Sequence, residues 1–231
     1  MNSEAGVPEP TLIIITGFLV VFLAGTTQGL TGFGFSLVFV SCMLLFMEPK
    51  TVVPIVTVHS ALINVVILST AFRWVDVKRI LPLALAGIAG IPFGTYVLLV
   101  LDESLLRVII GVVIVIFAAA FLSGFQRKVE KETGAFLGVG FMSGLLNGST
   151  GFSGPPVILF FTNQGLTKNV FRANLVAYFM VLNFSTIGAF VYKGLMTREV
   201  LTYSAYYLPA MVGGALVGIK LAQKVEEKVF K

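Results

Sequence analysis

The charged positions of this chain are bunched, and the stretches between them are almost wholly apolar. Five uncharged runs have the length of one bilayer crossing, about 20 residues: Thr51–Phe72, Ile80–Leu101, Val108–Gln126, Ala173–Tyr192 and Val200–Ile219. Two runs are much longer, Thr11–Met47 and Thr133–Thr167. Each is interrupted near its middle by Gly-rich polar sequence, Gln28-Gly29-Leu30-Thr31-Gly32-Phe33-Gly34 in the first and Asn147-Gly148-Ser149-Thr150-Gly151-Phe152-Ser153-Gly154 in the second. A helix rises about 1.5 Å per residue and the hydrocarbon core is about 30 Å thick, so two crossings plus a turn need more than about 40 residues. A pair of short helices meeting at a polar break fits each long run better. The pattern therefore predicts nine helical segments, over residues 11–27, 33–47, 51–72, 79–101, 105–124, 134–147, 152–164, 170–192 and 198–221.

Composition turns this pattern into a class. Apolar residues make up 57% of the 231 and charged residues 12%, with a mean hydropathy of +0.97. Soluble domains carry about 25% charge, so a soluble enzyme, a secreted disulfide scaffold and a disordered chain are excluded. The fold class expected is an all-α polytopic membrane protein with discontinuous helix pairs. Cys42 is alone and forms no intrachain disulfide. Glu4 and Glu9, with no Lys or Arg before Lys50, do not make a conventional signal peptide. The net charge of +5 reads as basic loops on one membrane face and not as a nucleic-acid surface. Nothing in the pattern sets an oligomeric state.

The two breaks share residues in register: Gly29, Thr31, Gly32 and Phe33 against Gly148, Thr150, Gly151 and Phe152. The same offset carries Asn64 onto Asn183 and His59 onto Tyr178. A slightly larger offset carries Gly90 and Gly94 onto Gly214 and Gly218, Leu101-Asp102-Glu103 onto Val225-Glu226-Glu227, and Arg107 onto Lys231. The chain thus divides into a first repeat, residues 1–126, and a second, 127–231, which lacks a counterpart to the fifth segment of the first; a chain shortened before a tenth segment is the expectation. If each short-helix pair returns to the side it entered, then of the 16 Lys and Arg only Lys50, Arg107, Lys193 and Arg198 fall on one side. The other side, with the basic loops, is then cytoplasmic and the N-terminus lies outside. The repeats have inverted topology, a plan used by secondary transporters with the substrate between broken helices. Glycines also serve close helix packing, a reading that suits Gly140, Gly144 and Gly148. It suits the Thr-Gly-Phe breaks less, because packing needs no polar side chains beside the glycines.

A helix starting inside the membrane leaves free N–H groups and a positive dipole end at the break, a ready anion site. Ser153 or Gly154 can cap such a helix, with Pro155 and Pro156 in its first turn. Thr31, Gly32, Phe33 and Gly34 occupy the matching place. The substrate-binding set expected is Thr31, Gly32, Phe33, Gly34, Asn147, Thr150, Gly151, Phe152, Ser153 and Gly154. Gln28, His59, Asn64, Asn183 and Arg172 are the supporting polar lining. Against proton or cation transport, no Asp or Glu lies within an uncharged run, and one His with one Cys makes no metal site; no cofactor is expected. His59 reads either as a relay or as a neutral imidazole bonded between helices. Thr57, Ser60 and Asn64 share a helix face, and Asn64 and Asn183 are either interhelical glue or pocket lining. Arg172 either draws anions to the inner mouth or anchors its helix by snorkelling.

The paired Gly-rich breaks, the run Asn147 to Pro156 and the duplicated layout resemble the TauE/SafE-type sulfite exporters from about Thr11 to Lys231. The resemblance implies export of sulfite, an organosulfonate or a related small sulfur oxyanion across a prokaryotic inner membrane, with that anion and the lipid bilayer as partners. An importer or symporter of a related anion is the alternative within the class. From another class comes an intramembrane hydrolase pairing His59 with Ser60, Ser149 or Ser153, against which stands the want of an orienting carboxylate in any span.

Overall fold

A computed structural model describes residues 10–122, 132–162 and 164–224. The turn between the halves and the Val225–Lys231 tail, with the expectations placed on them, lie outside the described residues. Among the described residues nine helices follow one another: α1 (Pro10–Thr31), α2 (Phe35–Met43), α3 (Pro49–Ala71), α4 (Val77–Val100), α5 (Glu103–Leu122), α6 (Glu132–Thr150), α7 (Gly154–Thr162), α8 (Lys168–Tyr192) and α9 (Arg198–Lys224), with a 3₁₀ turn at Phe72–Trp74. Six of these elements are long and apolar enough to cross a membrane, and the protein is an all-α polytopic membrane protein. Local chemistry sets several ends. Pro49 opens α3 in a position where its missing N–H is no loss. Asp76 caps α4 by accepting from Arg79 N and also pairs with the Arg79 side chain at 3.3 Å.

α3 and α8 form the centre, packed against each other and almost wholly buried along one side. Around them α1 packs on α9, and α4 packs on α6. Both of these contacts are backbone to backbone through glycine. A Cβ at Gly29 would lie 2.5 Å from Ala215 O of α9, and one at Gly148 would lie 2.7 Å from Ile91 O of α4. From the opposite helices, Gly214 faces the Phe22 carbonyl and Gly94 the Leu145 carbonyl. Small residues permit this approach, and in lipid, where apolar burial gives no separate driving force, dispersion across it holds the helices together. α5 leans on α3 and exposes Val108, Val112, Val115 and Ile116.

Two lysines close helix ends in matching fashion: Lys50 Nζ donates to Leu99 O at the end of α4, and Lys168 Nζ donates to Ala222 O near the end of α9. Arg107, at the start of α5, donates to Leu44 O and Met47 O after α2. Lys50 and Arg107 therefore share one end of the bundle with the turn that follows α2.

Candidate functional site

The breaks are shorter than the sequence pattern suggests. α1 runs through Gln28 to Thr31 and α6 runs through Asn147 to Thr150, leaving only Gly32–Gly34 and Gly151–Ser153 unwound. The reason lies in the threonines. Thr31 Oγ1 has Thr27 O at 2.9 Å and Phe33 O at 2.6 Å as acceptors for its one proton, and accepts from Phe33 N at 3.2 Å. Thr150 Oγ1 donates to Leu146 O at 2.8 Å and accepts from Phe152 N at 3.3 Å. Each hydroxyl thus sits against its own last turn while it catches the N–H two residues on. Gly32 and Gly151 then turn the chain with φ of +89° and +75°, where a side chain would be strained. Thr-Gly-Phe is a helix-ending device in both places.

Past the breaks, one pocket of about 380 Å³, mouth included, is lined from both halves. Phe33, Gly34, Ser36 and Leu37 come from the first break and α2, and Phe152 to Pro155 with Ile158 come from the second break and α7. Ser60 and Asn64 of α3 face Phe179 and Asn183 of α8, and Gln28 reaches in from the last turn of α1. No lining residue carries a charge, and none is a carboxylate, imidazole or thiol that would hold a metal. Polar groups are amides and hydroxyls. Gln28 Nε2 donates to Asn64 Oδ1 at 2.6 Å, and Ser36 Oγ lies 3.5 Å from Ser60 Oγ. Asn147 Nδ2 donates to Asn183 Oδ1 at 3.1 Å and to Thr186 Oγ1 at 2.8 Å.

The two helix starts are unequal donors. The first turn of α2 (Phe35, Ser36 and Leu37) offers N–H groups with no partner inside the helix. Pro155 and Pro156 fill two of the matching places in α7 and offer none. Ser153 O is also occupied as an acceptor, receiving Ser143 Oγ at 2.5 Å.

Of the expected site residues, Phe33, Gly34, Phe152, Ser153, Gly154, Gln28, Asn64 and Asn183 line the pocket; the others are not part of its lining. Thr31 and Thr150 hold the helix ends, and Asn147 orients Asn183. Gly32 packs against the stem of Arg172, while Gly151 packs against Val56. Arg172 is not among the pocket-lining residues: its guanidinium donates to Gly29 O, a last-turn carbonyl of α1. His59 is fully buried among Phe35, Phe39 and Tyr207, with ring centroids 5.9 to 6.4 Å away. Its Nδ1 pairs with Ile55 O at 2.9 Å, and its Nε2 meets no hydroxyl partner.

Ser36, Leu37, Ile158 and Phe179 were not singled out by the sequence pattern. A lone serine or phenylalanine in an apolar run gives no periodic signal; only Ser60, sharing a face with Asn64, gave a hint.

A membrane bundle with a neutral, donor-lined pocket between two broken helices is the architecture of a small-solute transporter. The family model for sulfite exporter TauE/SafE matches residues 17–231, and the chain belongs to that family. It is 26% identical over 214 residues to the "Probable sulfite/organosulfonate exporter TauE" of Cupriavidus necator, covering 90% of this chain and 84% of that protein. No solved structure matches it.

Proposed function

We propose that the protein is a carrier, not an enzyme, that exports a small sulfur oxyanion, sulfite or an organosulfonate, across a prokaryotic inner membrane. The anion occupies the pocket between the breaks, and the halves 1–126 and 127–231 are repeats of inverted topology. The carrying observation is that one pocket, uncharged and rich in donors, is lined from both breaks. Family membership and the printed name of the Cupriavidus relative support the sulfur chemistry.

The inverted-repeat reading is supported by matched pairings. α1 on α9 corresponds to α6 on α4, and Gln28 with Asn64 corresponds to Asn147 with Asn183; Lys50 with Leu99 and Lys168 with Ala222 match to within one residue of register. With the basic loops cytoplasmic and the N-terminus outside, the inside-negative potential itself drives anion exit by about 2.3 kcal/mol per charge per 100 mV. A hydrolase is disfavoured by His59, whose imidazole is bonded to a backbone carbonyl and walled off by aromatic rings.

Anion flux from proteoliposomes tests the reading, with sulfite, sulfate, thiosulfate and a sulfonate compared side by side. Flux of at least one sulfur oxyanion above protein-free vesicles is the expected outcome. Flux of none of them refutes the reading.

A further inference from the structure

We propose that Asn64 and Asn183 are the substrate-contacting donors of the pocket, aimed by Gln28 and Asn147, and that these uncharged donors make it select singly over doubly charged oxyanions. The proposal rests on the export reading above and adds the residues and the charge rule to it.

The geometry begins with the carboxamide oxygens. Asn64 Oδ1 accepts from Gln28 and Asn183 Oδ1 accepts from Asn147, so each asparagine has its acceptor engaged by a neighbour. What remains on each is an NH₂ group, which can only donate. Asn64 is fully buried, its Nδ2 has no partner in the protein, and Asn64 lines the pocket. A buried donor without an acceptor is destabilising unless a ligand or water completes it. Both asparagines line the pocket, so the bonds from Gln28 and Asn147 fix their amides in its wall. Gln28 and Asn147 stand in the last turns of α1 and α6, just before each break, and so tie each donor to the helix end that shapes the pocket.

The charge rule follows from what the lining lacks. Desolvating an ion costs energy in proportion to the square of its charge, as in Born solvation. Attraction to fixed amide and hydroxyl dipoles grows only in proportion to the charge. With no Lys, Arg or His among the lining residues, doubling the charge raises the cost faster than the gain. Two oxyanions of similar size are then separated by charge.

The test uses the full chain in proteoliposomes and measures sulfite efflux with methanesulfonate or sulfate as competitor. Methanesulfonate should compete, and sulfate should compete at least about tenfold less well. Asn64→Ala and Asn183→Ala should each raise KM about tenfold or more, the loss of one hydrogen bond to a charged ligand, with kcat little changed. Gln28→Ala should raise KM through Asn64, so adding it to Asn64→Ala should give no further rise. A merely structural role would lower the yield of folded protein without moving KM. If Asn64→Ala fails to fold, Asn183→Ala and the wild-type competition still decide. KM within about twofold of wild type in the folded variants, or sulfate competing as strongly as methanesulfonate, overturns the proposal. A wild type carrying no sulfur oxyanion overturns the export reading instead; calorimetric binding of methanesulfonate against sulfate then decides the charge rule separately.

Discussion

Adding one methyl group at the glycine interfaces measures how far the bundle depends on backbone contact. Gly29→Ala would set a Cβ 2.5 Å from Ala215 O, and Gly148→Ala one 2.7 Å from Ile91 O and 2.8 Å from Thr95 N. These are backbone atoms of a packed helix, so no side chain can rotate away. Ordinary contact begins at about 3.4 Å, so each pair of helices must separate by roughly 0.7–0.9 Å, and the dispersion contact along the seam weakens with it. Overpacking of this kind costs about 1–3 kcal/mol, while alanine in place of a helical glycine returns about 0.5–1 kcal/mol. Each variant should lose about 1–2 kcal/mol net, or roughly 3–6 °C in Tm on the scale of a chain this size. Gly144→Ala should lose more, because its methyl would overlap the Gly87 backbone. The controls are Gly111→Ala and Gly188→Ala, which meet nothing within 4 Å and should melt at or slightly above the wild type. Thermal unfolding in detergent, followed by size exclusion, reads all five. Gly29→Ala and Gly148→Ala melting with the controls would refute the argument that these seams are closed to a methyl group.

Three further outcomes separate packing from chemistry. Arg172→Gln removes a charged donor from Gly29 O and should cost about 1–2 kcal/mol in stability with KM for the anion unchanged; a raised KM at normal Tm would show that the charge draws substrate. His59→Gln and His59→Tyr should retain most flux in proteoliposomes, since the imidazole packs outside the pocket, and a folded variant without flux would contradict this. Thr150→Val leaves Phe152 N without its acceptor and should lower both Tm and flux, by about 1–3 kcal/mol in stability. Thr150→Ser should restore both and Ser41→Ala should change neither; equal behaviour of Thr150→Val and Ser41→Ala would count against the turn's role.

Helix number and type were legible because charge marks the ends of membrane spans, and Arg73, Lys78, Lys168 and Arg198 all stand at or between helix ends. The breaks were legible from polar residues beside glycine. Their true extent was not, because Thr31 and Thr150 look like ligands in a sequence and act as helix caps in three dimensions. Gly29 and Gly148 share the motif with Gly32 and Gly151 but do a different job, close packing and not turning; the spacing with Gly140 and Gly144 marked Gly148 for packing, while for Gly29 only the neighbouring helix reveals it. Gln28 and Asn64 lie far apart along the chain, so their bond depends on how α1 meets α3. Ser36 and Phe179 carry no pattern at all.

The partnership of α1 with α9 bears on how the protein is made. Gly25 and Gly29 leave the ribosome about 190 residues before Gly214 and Gly218, which at about 5–20 residues per second is roughly 10–40 s of synthesis. Through that interval the first helix sits in the bilayer with its glycine seam against lipid or against the insertion machinery, because its mate is unmade. α4 waits less, since α6 follows soon after it. Of the two glycine seams, the one between α1 and α9 is therefore the later to become available. Surveillance proteases of the membrane would find an unfinished or stalled chain at that seam.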